Sequence, residues 1–210
     1  MVLALRRSSA RRHWLADLPV AHRGLHDQMH PENSLGAFEQ ACAQGYAIEL
    51  DVVLTGDGVP VVIHDANTAR LTSVNLDVAS TSLEDLQQLR LLGTDESIPT
   101  MEAVTRLVAG RTPILVELKT GPSAGAVGPP VVEALRRFGV THALMSFDPR
   151  MLGWARRHAP QSPRVQLSGA LRGEPLPLIA KLLVRSMVTN VVTWPQAIAY
   201  DVFSAPSLGL

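Results

Sequence analysis

Residues 47 to 54 read Ala47-Ile48-Glu49-Leu50-Asp51-Val52-Val53-Leu54. An apolar, β-branched run of this length is the pattern of a buried strand. Two carboxylates interrupt it, and they are two residues apart, so both side chains leave the same face. Ile48, Leu50, Val52 and Val53 make that strand buried, where an unpaired carboxylate is costly. Two carboxylates held together repel unless a cation stands between them. A hard divalent ion such as Mg2+ or Ca2+ suits oxygen ligands. The alternative is that both are solvated on an exposed strand face.

Moving outward from this stretch, short apolar runs alternate with helical patterns. Leu18 to His22 reads as a strand. Ser34 to Gln44 carries Leu35, Phe38 and Ala41/Cys42 at helical spacing, with Asn33 or Ser34 as cap. The turn Thr55-Gly56-Asp57-Gly58 leads into a strand over Pro60 to Ile63. Ser82 to Leu92 predicts an amphipathic helix, and Thr100 to Val108 another, each with a hydroxyl cap. Further strands are expected at Ile114 to Leu118, Ala143 to Phe147 and Val165 to Leu167, with helices at Val131 to Phe138 and Arg150 to His158. Gly121 to Pro130 reads as a loop.

Strands that are apolar almost throughout and alternate with helices predict a parallel sheet covered on both faces. No Gly-rich dinucleotide motif follows the first strand, which argues against a Rossmann arrangement. Polar residues instead cluster just after the first five strands, as on the C-terminal face of a TIM (β/α)8 barrel. Six strands are clear; Val191 to Thr193 and Ala197 to Tyr200 could supply one more. Phe203 to Leu210 reads as neither a closing strand nor a helix. The expected fold is therefore a single barrel domain, incomplete at its C-terminus.

The 210 residues are enough for one sizeable domain, and 46% of them are hydrophobic, enough for a buried core. Lys plus Arg and Asp plus Glu number 19 each, so the balanced charge offers no field for a nucleic acid or an acidic membrane. Cys42 is the single cysteine, which excludes an internal disulfide and fits a reducing compartment. It is expected to be a small buried side chain. Arg6, Arg7, Arg11 and Arg12 flank an apolar piece too short for a secretory signal, and no stretch is long enough for a membrane span. Residues 1 to 17 read as a solvated basic arm, and the expected location is cytoplasmic.

Glu117 repeats the pattern of Glu49 and Asp51 on another strand. It could complete a three-carboxylate site if the strands converge, with Lys119 reaching a substrate anion; an ion pair between the two is the simpler alternative. His22 and His64 each follow an apolar strand. A lone histidine there is usually structural, but two beside carboxylates and Arg23 point to acid–base work near neutral pH. Arg23 suits bidentate contact with a phosphate. Helix capping does not explain Glu32, which could ligate metal or bind a hydroxyl.

These blocks stand in the order found in glycerophosphodiester phosphodiesterases. They are His22-Arg23-Gly24, Pro31-Glu32-Asn33-Ser34, Glu49-x-Asp51, Thr55-x-Asp57-Gly58, Val61 to Asp65, Ile98-Pro99-Thr100, Glu117-Leu118-Lys119 and Ser146-Phe147-Asp148. Over roughly Val20 to Leu167 the chain resembles that family. The resemblance implies a (β/α)8 barrel that hydrolyses a small glycerophosphodiester to an alcohol and sn-glycerol 3-phosphate with one divalent cation, Mg2+ or Ca2+. It implies Glu49, Asp51 and Glu117 as metal ligands and His22 and His64 as general acid and base. Arg23 and Lys119 would bind phosphate, and Glu32 would face the metal or the glycerol. Residues 55 to 94 resemble the family's characteristic insertion. Ser34 replaces the usual threonine and keeps its hydroxyl, and the family's Trp-Thr-Val-Asn-like strand has only Thr193-Trp194 as a poor counterpart. Two other readings compete: a phospholipase-type enzyme acting on intact lipid, and an inactive truncated relative.

Overall fold

The computed structural model describes residues 2–5, 14–119, 125–168 and 189–200. Two compact units emerge, one of Leu18–His142 and one joining Met1–Asp17 to Ala143–Leu210. The second unit opens the chain with β1 (Val2–Leu5) and α1 (Trp14–Asp17). The first then contributes β2 (Val20–His22), α2 (Leu35–Ala43), β3 (Ala47–Leu54) and β4 (Pro60–Val62). It continues with α3 (Leu83–Gln87), α4 (Met101–Val108), β5 (Ile114–Leu118) and α5 (Gly128–Arg137). The chain ends its described part with β6 (His142–Ser146), α6 (Pro149–His158), β7 (Arg164–Ser168), α7 (Asn190–Thr193) and β8 (Ala197–Tyr200).

In the Leu18–His142 unit, β3 lies parallel to β2 on one side and to β5 on the other. Ile48, Leu50 and Val52 are fully buried, as are Ile114, Val116 and Leu118 across the register. Both faces of this sheet are therefore covered, which is why the strands carry no polar alternation. Ala37, Phe38 and Ala41 are the buried residues of α2, and Met101, Val104 and Val108 are among those of α4. Each fully buried large side chain contributes about 1.5–3 kcal/mol. Ser34 Oγ accepts from the Ala37 N–H at 3.2 Å and Thr100 Oγ1 from the Ala103 N–H at 3.1 Å, so both helices begin on side-chain caps.

Strand β4 folds back antiparallel on β3 through the turn at Thr55–Gly58, where Gly58 has φ +81. A Cβ on Gly56 would stand 2.8 Å from the Ser80 carbonyl carbon, so only glycine fits that approach. Beyond β4 a small separate core forms from Val61, Ile63, Leu71, Val78, Leu86, Leu91 and Ile98. This cluster reaches from β4 to Ile98, and Val53 of β3 packs against it.

In the other unit, β6, β7 and β8 lie parallel in succession, and β1 pairs antiparallel with β8. Among the described residues six strands run parallel to a neighbour, in the strand–helix alternation of the (β/α)8 class. No helix among the described residues is long and apolar enough to cross a membrane.

Several expectations need correcting. Val191 to Thr193 is helical, not a strand. The helix expected to reach Leu92 stops at Gln87; Leu91–Gly93 is a 3-10 turn, with Leu92 at φ 49. Val2–Leu5, read as part of a solvated arm, is strand β1, while Arg6, Arg7, Arg11 and Arg12 lie outside the described residues, as does Phe203 to Leu210. The loop expected over Gly121 to Pro130 already turns helical at Gly128. Cys42 is half-buried rather than fully enclosed.

Candidate active site

Register brings the carboxylates together. His22 pairs with Glu49 across β2 and β3, and Asp51 pairs with Glu117 across β3 and β5. Residues opposite each other on parallel strands share a face, and Glu49 and Asp51 share theirs by their spacing of two. Three carboxylate oxygens, one each from Glu49, Asp51 and Glu117, all lie within 4.8 Å of one another, and all three residues are buried. At about 4 Å and an effective dielectric near 20, each such like-charge pair costs roughly 4 kcal/mol. The triad therefore needs positive charge.

Lys119 supplies part of it. Its Nζ lies 2.9 Å from Asp51 Oδ1 and 2.7 Å from Glu117 Oε1. Burial opposes the ammonium charge, but Glu117 and Asp51 together raise the Lys119 pKa above its ordinary value. Burial likewise opposes the charge on Asp51, yet Lys119, together with other neighbours such as Asn33, outweighs it and holds that carboxyl low. Asp51 also accepts a hydrogen bond from Asn33 Nδ2 at 3.0 Å.

Glu49 is the undercompensated member. It accepts the Arg23 backbone N–H at 3.0 Å, and His22 Nε2 stands 3.9 Å away. Burial, then the charges on Asp51 and Glu117, push its pKa well above the ordinary carboxylate range. An all-oxygen, buried donor set with one carboxylate short of a cation fits a hard divalent ion.

Two strained residues frame the triad. Arg23 and Asn33 both have φ 59, a left-handed conformation that asparagine tolerates better than arginine does. Gly24 follows at φ +81, where a Cβ would meet Ala37 Cβ at 2.9 Å. This backbone turns the Arg23 side chain toward the acids. Its Nη1 donates to Glu32 Oε1 at 2.8 Å, and its Nε is 3.4 Å from Asp51 Oδ2. That buried Nε makes no hydrogen bond among the described residues, and the Asp51 carboxylate stands beside it as an ion-pair partner.

His64 follows β4, and the Ile63 N–H donates to Asp51 O at 3.1 Å, placing it beside the triad strand. Its Nδ1 is 2.6 Å from Asp65 Oδ1. His22 ends β2 with an exposed outer face; partial burial, then the Arg23 charge, lower its pKa. All eight residues singled out in the sequence lie within the Leu18–His142 unit; seven are linked by register or direct contact, and His64, bonded to Asp65, follows the strand next to β3.

Sequence reasoning missed two contributors. Asn33, weighed only as a cap, instead bonds Asp51, while Ser34 does the capping. Arg70 was not considered, although it is the only charged residue between Asp65 and Asp77. It donates to Glu32 from both terminal nitrogens, at 2.9 and 2.7 Å, and from Nε to Asp65 Oδ2 at 2.6 Å. Glu32 is therefore committed to two guanidinium groups. Burial opposes its charge, but Arg70 and Arg23 hold its pKa low.

A strand-and-helix sheet that gathers buried carboxylates, an arginine and a lysine at one place defines an α/β protein of barrel type with a candidate metal centre suited to a phosphate. The sequence profile of the Glycerophosphoryl diester phosphodiesterase family matches residues 22–206. The chain belongs to this family. The YhdW protein of Bacillus subtilis is 35% identical over 153 residues, which are 69% of this chain and 63% of that protein. Glycerophosphodiester phosphodiesterase 1 of Rattus norvegicus is 36% identical over 111 residues, 48% of this chain and 33% of that one. The chain thus spans less than two thirds of these relatives' lengths. An Oleispira antarctica phosphodiesterase, solved in complex with the product sn-glycerol-3-phosphate, superposes with a TM-score of 0.68 at 29% identity, covering 76% of this chain and 70% of its own.

Proposed function

We propose that this protein is a cytoplasmic, metal-dependent phosphodiesterase that hydrolyses glycerophosphodiesters to an alcohol and sn-glycerol 3-phosphate. The observation that carries the reading is the buried triad, with its undercompensated Glu49, beside a lysine and an arginine. Family membership and the product complex of the Oleispira protein support the substrate class.

Glu49, Asp51 and Glu117 would hold one divalent cation, Mg2+ or Ca2+. When bound, that ion neutralises charge building on the phosphoryl oxygens. Arg23 and Lys119 bind the remaining phosphate oxygens. Glu32 fixes the Arg23 guanidinium from its Nη1 end. His22 and His64 divide the proton work. One takes the proton from the attacking hydroxyl, either water or the glycerol 2-hydroxyl, and the other protonates the leaving alkoxide. The presence of every one of these residues in one unit supports an active enzyme over a decayed relative.

Release of glycerol 3-phosphate from glycerophosphocholine tests this. The expected result is loss of activity on chelation with EDTA, restored by added Mg2+ or Ca2+, and loss in His64→Ala. Undiminished hydrolysis in a chelated sample would overturn the metal-dependent reading. Cleavage of intact lipid vesicles but not of the soluble diester would favour a phospholipase.

A further inference from the structure

Behind the groups assigned to the substrate, one guanidinium ties two carboxylates together. Arg70 Nη1 and Nη2 make a forked pair with Glu32, at 2.9 Å to Oε2 and 2.7 Å to Oε1, and its Nε donates to Asp65 Oδ2 at 2.6 Å. The same carboxylates also serve the site, Asp65 through its other oxygen and Glu32 through the Oε1 that Arg70 and Arg23 share. Asp65 Oδ1 is 2.6 Å from His64 Nδ1, and Glu32 Oε1 accepts from Arg23 Nη1 at 2.8 Å. Arg70 itself is anchored from the small core: Leu71, 3% exposed, follows it, and the Leu71 N–H donates to Thr68 O at 3.1 Å.

We propose that Arg70 is a positioning residue for the hydrolysis proposed above, setting the His64 tautomer through Asp65 and the Arg23 guanidinium through Glu32. An ionised carboxylate only accepts hydrogen bonds, so Asp65 requires a proton on His64 Nδ1 and leaves Nε2 as the nitrogen for proton transfer. Asp65 is itself partly exposed, and a carboxylate held from one side only is free to turn toward water. The Arg70 Nε–H occupies its second oxygen and prevents that turn. The same fork holds Glu32 against Arg23, which already sits on a strained backbone and needs a fixed partner to keep its orientation. A lysine would supply charge without the fork, so charge alone does not replace this residue.

The distinguishing feature is a catalytic effect without a matching loss of stability. The Arg70 side chain is 47% exposed, and ion pairs of that exposure contribute little to folding. The inference rests on the proposed function for its kinetic arm and on geometry alone for its spectroscopic arm. Arg70→Ala and Arg70→Lys, with wild type, are assayed for kcat and KM on glycerophosphocholine. In parallel, 15N spectra report the His64 tautomer. Loss of an orienting partner of this kind typically costs about 10–100-fold. Arg70→Ala is expected to lose that much in kcat with a near wild-type melting temperature, and Arg70→Lys to recover only part. Wild-type His64 is expected to show the Nδ1–H form, and Arg70→Ala a mixture containing Nε2–H.

Unchanged kcat in Arg70→Ala, or full recovery in Arg70→Lys, would overturn the kinetic claim. An unaltered His64 tautomer in both variants would overturn the positioning claim. Should wild type fail to hydrolyse the diester, the proposed function fails alone, and the tautomer comparison still decides the role of Arg70. Should Arg70→Ala not fold, the stability argument is wrong and the proposal falls with it.

Discussion

Glu49 is 2% exposed and faces two other carboxylates, against which the described residues set one backbone N–H, a distant imidazole and the charge of Lys119. In the metal-free chain that charge is a liability, because burial and like charges both oppose it. Glu49→Gln keeps the acceptor oxygen for the Arg23 N–H and removes the charge. Substitutions that relieve such a conflict commonly stabilise by about 0.5–2 kcal/mol. In EDTA, Glu49→Gln is therefore expected to melt above wild type. Adding Mg2+ or Ca2+ is expected to raise the melting temperature of wild type and leave the variant unmoved, since a ligand stabilises only the state that binds it. Thermal scans of both proteins with and without the ion check this. A variant that melts below wild type in EDTA would show that Glu49 is not a cation ligand held under strain.

At the scale of elements, the sequence was informative wherever a period was long enough to be unambiguous. The spacing of two on β3 placed Glu49 and Asp51 together, and hydroxyl caps marked the starts of α2 and α4. The reading failed at Ser82 to Leu92 because Leu86 and Leu91 join one small core by different backbones, one helical and one through a 3-10 turn. Apolar spacing reports the shared core, not the local backbone. Val191 to Thr193 is β-branched and short, so propensity favoured a strand where tertiary context made a single helical turn. Arg70 was illegible for another reason: its partner Glu32 is 38 residues away, beyond any local pattern. Strand β6 carries a titratable group at its first residue. Burial lowers the His142 pKa below its ordinary value, against the opposing effect of the Val140 carbonyl, which accepts from Nδ1 at 2.8 Å. Because the folded pKa lies below the unfolded one, the unfolded chain takes up the proton first as pH falls. Stability is thus intact above about pH 6.5 and is lost below it, until the folded group also titrates. His142→Asn retains a donor and cannot be protonated. Its melting temperature is expected to fall less than that of wild type between neutral and mildly acid pH. Equal falls would assign the acid sensitivity to other groups.

The whole molecule hides an imbalance that composition conceals. Formal charge is zero over 210 residues. Divided between the compact units, Leu18–His142 holds 15 Asp and Glu against 8 Lys and Arg, net −7, while the rest holds 11 against 4, net +7. The reading that balanced charge leaves no field is therefore true only of the total. A zero net charge removes the repulsion that keeps copies apart, and the opposed halves give one copy something to attract in another. That attraction reaches about 30 Å in 0.01 M salt and about 8 Å at 0.15 M. Self-association is thus expected in dilute buffer and is expected to weaken as salt rises through the physiological range. Light scattering or sedimentation at fixed protein concentration and two ionic strengths measures it. Particles that persist or grow with added salt would point to apolar contact instead, since hydrophobic association is not screened and some salts strengthen it. A monomer at every ionic strength would mean that the two charge sets are neutralised locally, as Arg111–Glu39 and Arg70–Glu32 already are within the acidic unit.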